Sequence, residues 1–172
     1  MTAMTEHALP LAVVYKGWDT FQRDVYKAVA PLSPEQWALP VAPHHWPIAR
    51  VVQHIVADRV WWFYGWMNEG SPEVGALARW DEEGQPVRSP AELVAGLEAT
   101  WGVIAESLAR WTVAGLGDVF DPPTTLTEAE RQEFGPCTRQ EILWHVLRHD
   151  IHHGGELAVG MGGYHLRTIW GG

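Results

Sequence analysis

"TRQEILWHVLRHDIHHGGELAVGM", residues 138–161, opens on a threonine with Glu141 three residues later. This is the pattern of a capping box, in which the two residues each satisfy the other's backbone N–H at a helix start. Ile142, Val146, His149, His153, Leu157 and Gly160 then recur at intervals of three and four, so they fall in one stripe roughly 100° wide. The spacing predicts a long helix whose stripe faces a core. Four histidines, His145, His149, His152 and His153, lie within nine residues of it.

Three more helices of similar length are expected upstream. Residues 11–30 carry Val14, Trp18, Phe21, Val25 and Val29 at helical spacing and stop at Pro31. Residues 48–67, "IARVVQHIVADRVWWFYGWM", form the second, and a third starts at Ser89 or Pro90 and ends near Trp111. "SPEQW" supplies a short capped connecting helix, with Ser33 as N-cap and Gln36 at the third position. Residues 70–89, rich in Gly, Pro and acids, are expected to be loop. Residues 112–137 are expected to be irregular or to form a small hairpin. The fold class that follows is all-α, a four-helix bundle with a short connecting helix and long loops, in one domain spanning residues 1–172.

Composition excludes several kinds of function. The 12 basic residues against 21 acidic ones give a net charge of −9, and no basic cluster is dense enough to follow a phosphate backbone, so no nucleic-acid partner is expected. No apolar run approaches the roughly 20 residues that cross a bilayer, and the N-terminus lacks a basic segment followed by an apolar one. A cytoplasmic protein with no membrane partner is the expectation. The single cysteine, Cys137, rules out an internal disulfide and is expected to be a small structural residue. The alternative for it is a thiol activated by the helix start beside it. The 11 tryptophans are expected mainly in the core, with Trp61, Trp62 and Trp144 as candidates to line an apolar pocket.

The histidines differ by helical phase. His149 and His153, one turn apart on the core-facing stripe, have the spacing of a metal-ligand pair. Two inward imidazoles without partners cost roughly 1–3 kcal/mol for each unsatisfied group, and a divalent cation satisfies both. A third ligand must come from another helix, and His54 in "VVQHIVADRVWW" is the only histidine inside a long helix other than the last. Val51, Asp58, Trp61 and Gly65 continue its stripe, so it also faces a partly apolar interior. Three neutral imidazoles with an open position suit Zn²⁺, Ni²⁺ or Fe²⁺, with water at the open position. His145, one turn before His149, is a candidate fourth ligand or supporting group, and His152 falls at the stripe's edge. Asp58 and Glu156 are placed to accept hydrogen bonds from the outer ring nitrogens. His44 and His45 in a Pro-rich loop, and His7 and His165 near the termini, are assigned no role.

The early "QHIVADRVWWF" and the late "TRQEILWHVLRHDIHHGGEL" resemble the corresponding elements of the DinB/YfiT-like helical bundle proteins, the latter that family's "HxxxHH" element. The resemblance runs from the first helix to about Gly162. It implies a bundle of up-down-down-up order, commonly dimeric, with a divalent metal, often nickel or zinc, held by three histidines that map here onto His54, His149 and His153. The chain departs from the family where Gly154 stands at a position that often carries arginine or another bulky residue. Two adjacent glycines inside a helix cost roughly 1 kcal/mol each against alanine, so either the helix weakens at residues 154–155 or another backbone comes close.

Two functions remain at this stage. In the first, the metal lowers the pKa of a water or of a low-molecular-weight thiol, and hydrolysis of a small-molecule substrate or S-transfer follows, with no protein nucleophile needed. In the second, the metal only stabilises a non-catalytic bundle that serves as a stress or interaction module. A ferritin-like di-iron centre requires Glu-x-x-His pairs on two helices, and helices two to four contain none.

Overall fold

The computed structural model describes residues 9–169, so residues 1–8, with His7 and the N-terminal reading, lie outside the described residues. The α-helices are α1 (Leu11–Val14), α2 (Lys16–Val29), α3 (Pro34–Trp37), α4 (Ile48–Val60), α5 (Pro72–Gly75), α6 (Pro90–Arg110), α7 (Glu128–Phe134) and α8 (Arg139–Gly163). A π-helical turn at Trp61–Trp66 prolongs α4, and 3-10 turns cover Ala76–Asp81 and Val113–Gly117. Two short strands, β1 (Val119–Phe120) and β2 (Cys137–Thr138), pair antiparallel with Val119 opposite Thr138. No helix among the described residues is long and apolar enough to cross a membrane.

The caps expected from the sequence are present. The Thr138 hydroxyl accepts from the Glu141 N–H at 3.2 Å, and the Glu141 carboxylate accepts from the Thr138 N–H at 2.7 Å. Ser33 with Gln36 repeats the arrangement at α3, and Ser89 with Glu92 adds a further capping box at α6 that the sequence reading did not name. With its start fixed, α8 continues unbroken through both glycines. At Gly154 a Cβ would collide with the ring of Phe21, so the absent side chain makes room for an aromatic ring from α2. At Gly160 the backbone of Val41 lies 2.6 Å from where a Cβ would be, a true close approach.

Three boundaries differ from the sequence expectation. The first helix is broken at Tyr15, and its detached turn is tied to the end of α6 by the Leu11 N–H donating to the Trp111 carbonyl at 2.8 Å. The last residues of the second helix widen into a π turn, which carries five aromatic residues, with Trp62 and Trp66 stacked at 4.9 Å between ring centroids. Within residues 112–137 the hairpin is only two residues long. Between its strands lies α7, which starts at a Thr127/Glu130 capping box within "LTEAERQEF" where irregular structure is expected.

The core lies between the four longest helices, with α4 packed on both α6 and α8 and α2 packed on α6. Ile48, Val52, Ile55 and Val56 of α4 meet Leu93, Leu97 and Ile104 of α6 and Ile142, Leu143, Val146 and Leu157 of α8 in one apolar cluster, all almost fully buried. Trp18, Trp37, Trp62, Trp66 and Trp111 are buried in it, as expected, whereas Trp144 is 60% exposed.

Candidate metal centre

Helices α4 and α8 run antiparallel, and their facing stripes carry the polar residues of the site. His54 Nε2 and His149 Nε2 lie 3.0 Å apart, and the His54 ring centroid is 4.7 Å from that of His149 and 4.8 Å from that of His153. One ring nitrogen from each of the three falls within 4.8 Å of the others, a grouping of the kind that holds a metal ion. His153 is buried, and His54 and His149 are partly buried.

Each ring's other nitrogen faces a carboxylate. His54 Nδ1 is 2.6 Å from Asp81 Oδ2, His153 Nδ1 is 2.7 Å from Glu156 Oε2, and His149 Nδ1 is 3.3 Å from Asp58 Oδ2. A carboxylate facing Nδ1 favours the tautomer that carries its proton there and leaves the Nε2 lone pair free, the arrangement that second-shell acids impose on metal ligands. The geometry also tests whether a cation fits. His149 Nδ1 is buried without a well-formed hydrogen bond. With both outer protons on Nδ1, facing Asp81 and Asp58, two Nε2 lone pairs meet at 3.0 Å, a contact that an added proton or a cation relieves. A cation between them removes the conflict, so the residues present fit a divalent ion.

Electrostatics favour the neutral rings that ligation requires. Burial, helped by the neighbouring His153 and His54, holds His149 down at about 2, and burial also lowers His153 against the opposing pull of Glu156. Asp58 is raised to about 7 by burial and then by the Asp150 carboxylate.

Glu156 meets a ring nitrogen within hydrogen-bond distance, whereas Asp58 lies 3.3 Å from His149 Nδ1 without a formed hydrogen bond, across the helix interface and not beside His54 on its own helix. His145 lies outside the three-histidine group: its Nε2 is 3.9 Å from Asp58 Oδ1 and its ring packs 4.4 Å from Trp62. The side chain of His152 is 65% exposed, 3.5 Å from Glu156. Asp81 was missed. It lies in residues 70–89, where α5 and a 3-10 turn form in place of the expected loop, and the buried Gln53 holds that segment beside His54 by donating to the Trp80 carbonyl at 2.6 Å and accepting from the Arg88 N–H at 2.8 Å. Arg50 completes the support at 3.0 Å from Asp81 Oδ1. The thiol of Cys137 is pushed up by burial and by Glu141, which corrects the idea of a thiol activated at the helix start.

Two clefts reach the histidines. One of about 300 Å³ is lined by His54, Ala57, Asp58, Trp61, Ala78, Asp81 and Glu82. The other, of similar volume, is lined by His153 and Glu156 together with Val41, Val51, Trp46 and the two loop histidines His44 and His45, to which the sequence assigned no role. Trp46 stands between them, packed edge-on against His54 at 5.3 Å. A larger apolar pocket of about 450 Å³ lies elsewhere, between α2 and α8 at Trp18, Phe21, Leu147 and Ile151.

A crystal structure of a DinB-like protein from Bacillus cereus ATCC 10987 superimposes with a TM-score of 0.64 and 23% identity, over 90% of this chain and 92% of that one. No curated protein matches the chain. The model of the DinB superfamily matches residues 18–157, most of the chain, and the protein therefore belongs to that superfamily.

Proposed function

We propose that this protein is a divalent-metal-dependent enzyme built on a four-helix bundle of up-down-down-up order, with His54, His149 and His153 as the ligands. The observation that carries the reading is the paired environment of each imidazole, with Nδ1 turned to Asp81, Asp58 or Glu156 while a second ring nitrogen joins a common group. A zinc, nickel or iron ion held there supplies Lewis-acid activation of a water or of a low-molecular-weight thiol, for hydrolysis or S-transfer on a small-molecule substrate.

The chain's own residues do the rest. Asp81, itself held by Arg50, keeps the proton of His54 on Nδ1 and fixes the ring plane, and Glu156 does the same for His153. Ala57, Trp61 and Ala78 give the first cleft an apolar wall beside the histidines, which limits water around a bound substrate. Three ligand atoms form the group, and no fourth histidine, cysteine or carboxylate of the described residues joins it. That count supports a catalytic ion with an open position over a structural ion with four protein ligands.

The test is a panel of bacillithiol, mycothiol and coenzyme A assayed against an electrophile, with hydrolysis of activated esters in parallel. Metal-loaded wild-type protein is compared with His149→Ala. The proposal expects turnover by the wild type and a loss of at least about a hundredfold in the variant. Equal rates in the two proteins contradict it.

A further inference from the structure

The seam between α4 and α8 is periodic. On α4 and the π turn that follows it, His54, Asp58 and Trp62 come every fourth residue, and on α8 so do His145, His149 and His153. They meet in antiparallel order: His54 with His153 and His149, Asp58 with His149 and His145, Trp62 with His145. Both stripes repeat at the same step. A slide of one turn, about 6 Å for four residues at 1.5 Å each, therefore brings His54 against His145 and His149 and again presents imidazoles to it. At His54 the stripe alone does not select the observed register, although after the slide Trp62 faces Glu141 and no longer His145.

One contact across the same interface does not repeat. Arg59 and Asp150, each one residue beyond a member of the stripe, are 1% and 0% exposed. Arg59 grips Asp150 through Nε at 3.0 Å and Nη2 at 2.7 Å. From α2, the Trp18 indole donates to Asp150 at 2.7 Å, and Gln22 accepts from Arg59 Nη2 at 2.7 Å. Four residues from Asp150 on either side are Val146 and Gly154, and four from Arg59 are Ile55 and Phe63. A one-turn slide leaves a guanidinium and a carboxylate buried without each other, at a cost of several kcal/mol. A buried ion pair adds little net stability over an apolar pair of similar volume, and its best-attested use is to specify register.

We propose that the Arg59–Asp150 pair is a register lock, which sets α4 against α8 so that His54 meets His149 and His153 and not His145 and His149. Arg59 and Asp150 are thus positioning residues for the three-histidine group, and the inference rests on that group being the metal site.

The experiment uses Co²⁺ as the probe, measuring affinity by chelator competition and ligand geometry by the visible absorption of the bound ion. Wild type, Arg59→Met/Asp150→Leu and the milder Asp150→Asn are compared, each with and without His145→Ala, and urea unfolding identifies the folded variants. The lock predicts that the folded double variant binds Co²⁺ about tenfold or more weakly, with an altered spectrum, and that its residual binding now depends on His145, whereas wild-type binding does not. If the double variant does not fold, Asp150→Asn decides the matter, with a loss of about threefold or more and a new dependence on His145 expected. Wild-type affinity and spectrum in a folded variant overturn the lock and leave the three-histidine reading intact. Failure of the wild type itself to bind Co²⁺ removes that reading and the lock with it.

Discussion

Two polar layers cross the same pair of helices one residue apart, and they are built in opposite ways. In the Arg59–Asp150 layer the carboxylate is shared between a guanidinium and the Trp18 indole at 2.7–3.1 Å, and both charged residues are sealed from water. In the His54–His149–His153 layer the outer nitrogens face carboxylates, but the inner ones converge on each other, and two clefts open beside them. The closed layer pairs its charges within the chain and leaves one atom, Arg59 Nη1, without a partner. The open layer becomes self-consistent when a cation is added, and this contrast separates a structural polar cluster from a binding site.

Breaking the closed layer has the largest expected effect on the fold. Arg59→Ala leaves the Asp150 carboxylate buried beside Trp18 without its cation, and a loss of about 3–5 kcal/mol is expected in urea unfolding. A His54→Ala substitution in metal-free protein removes one member of an already unsatisfied group and is expected to change stability by less than about 1 kcal/mol. If the two losses are similar, the contrast between the layers fails.

Asp81→Asn sharpens the contrast from the open side. It leaves the fold in place but weakens the acceptor for His54 Nδ1 and the contact to Arg50, so metal affinity measured by calorimetry is expected to drop about 10–100-fold. Unchanged affinity means that His54 is oriented by something else.

A smaller effect concerns pH. His149 is held near 2 in the folded state against an ordinary value of 6.5, so below about pH 6.5 the unfolded chain takes up a proton that the folded one refuses, and stability falls. Asp58 acts in the opposite sense. Raised to about 7 from 3.8, it is protonated in the folded state and ionised in the unfolded one between those values, and stability rises as pH falls through that window. The two contributions offset each other between about pH 6.5 and 4. Asp58→Asn removes one of them, so the metal-free variant is expected to lose stability more steeply than wild type as pH falls through that range. Parallel urea midpoints across the range contradict the offset.

Much of the fold was legible along the chain because its signals are local. Capping boxes at Ser33, Ser89 and Thr138 and apolar spacing of three and four residues mark helix starts and buried faces, and both act within a turn or two. Phase alone also separated His149 and His153 from the exposed His152. What was not legible depends on residues distant in sequence. Asp81 belongs to the site because Gln53, 27 residues before Trp80, holds that segment down. Asp150, buried at 0%, reads in sequence as one more solvated acid beside Arg148 and His149, since its partner Arg59 is 91 positions away. Gly154 looked like a weak point in the helix and is a seat for Phe21, a contact no local pattern announces.

The central claim is that three imidazoles of this chain hold one divalent ion and leave a position open. It is tested most directly by loading the purified protein with Zn²⁺, measuring stoichiometry, and counting ligands by X-ray absorption at the zinc edge. The account predicts one ion per chain with three imidazole nitrogens at about 2.0–2.1 Å and a further exchangeable oxygen, lost in His149→Ala. No saturable binding, or an ion whose coordination is unchanged in His149→Ala, contradicts it.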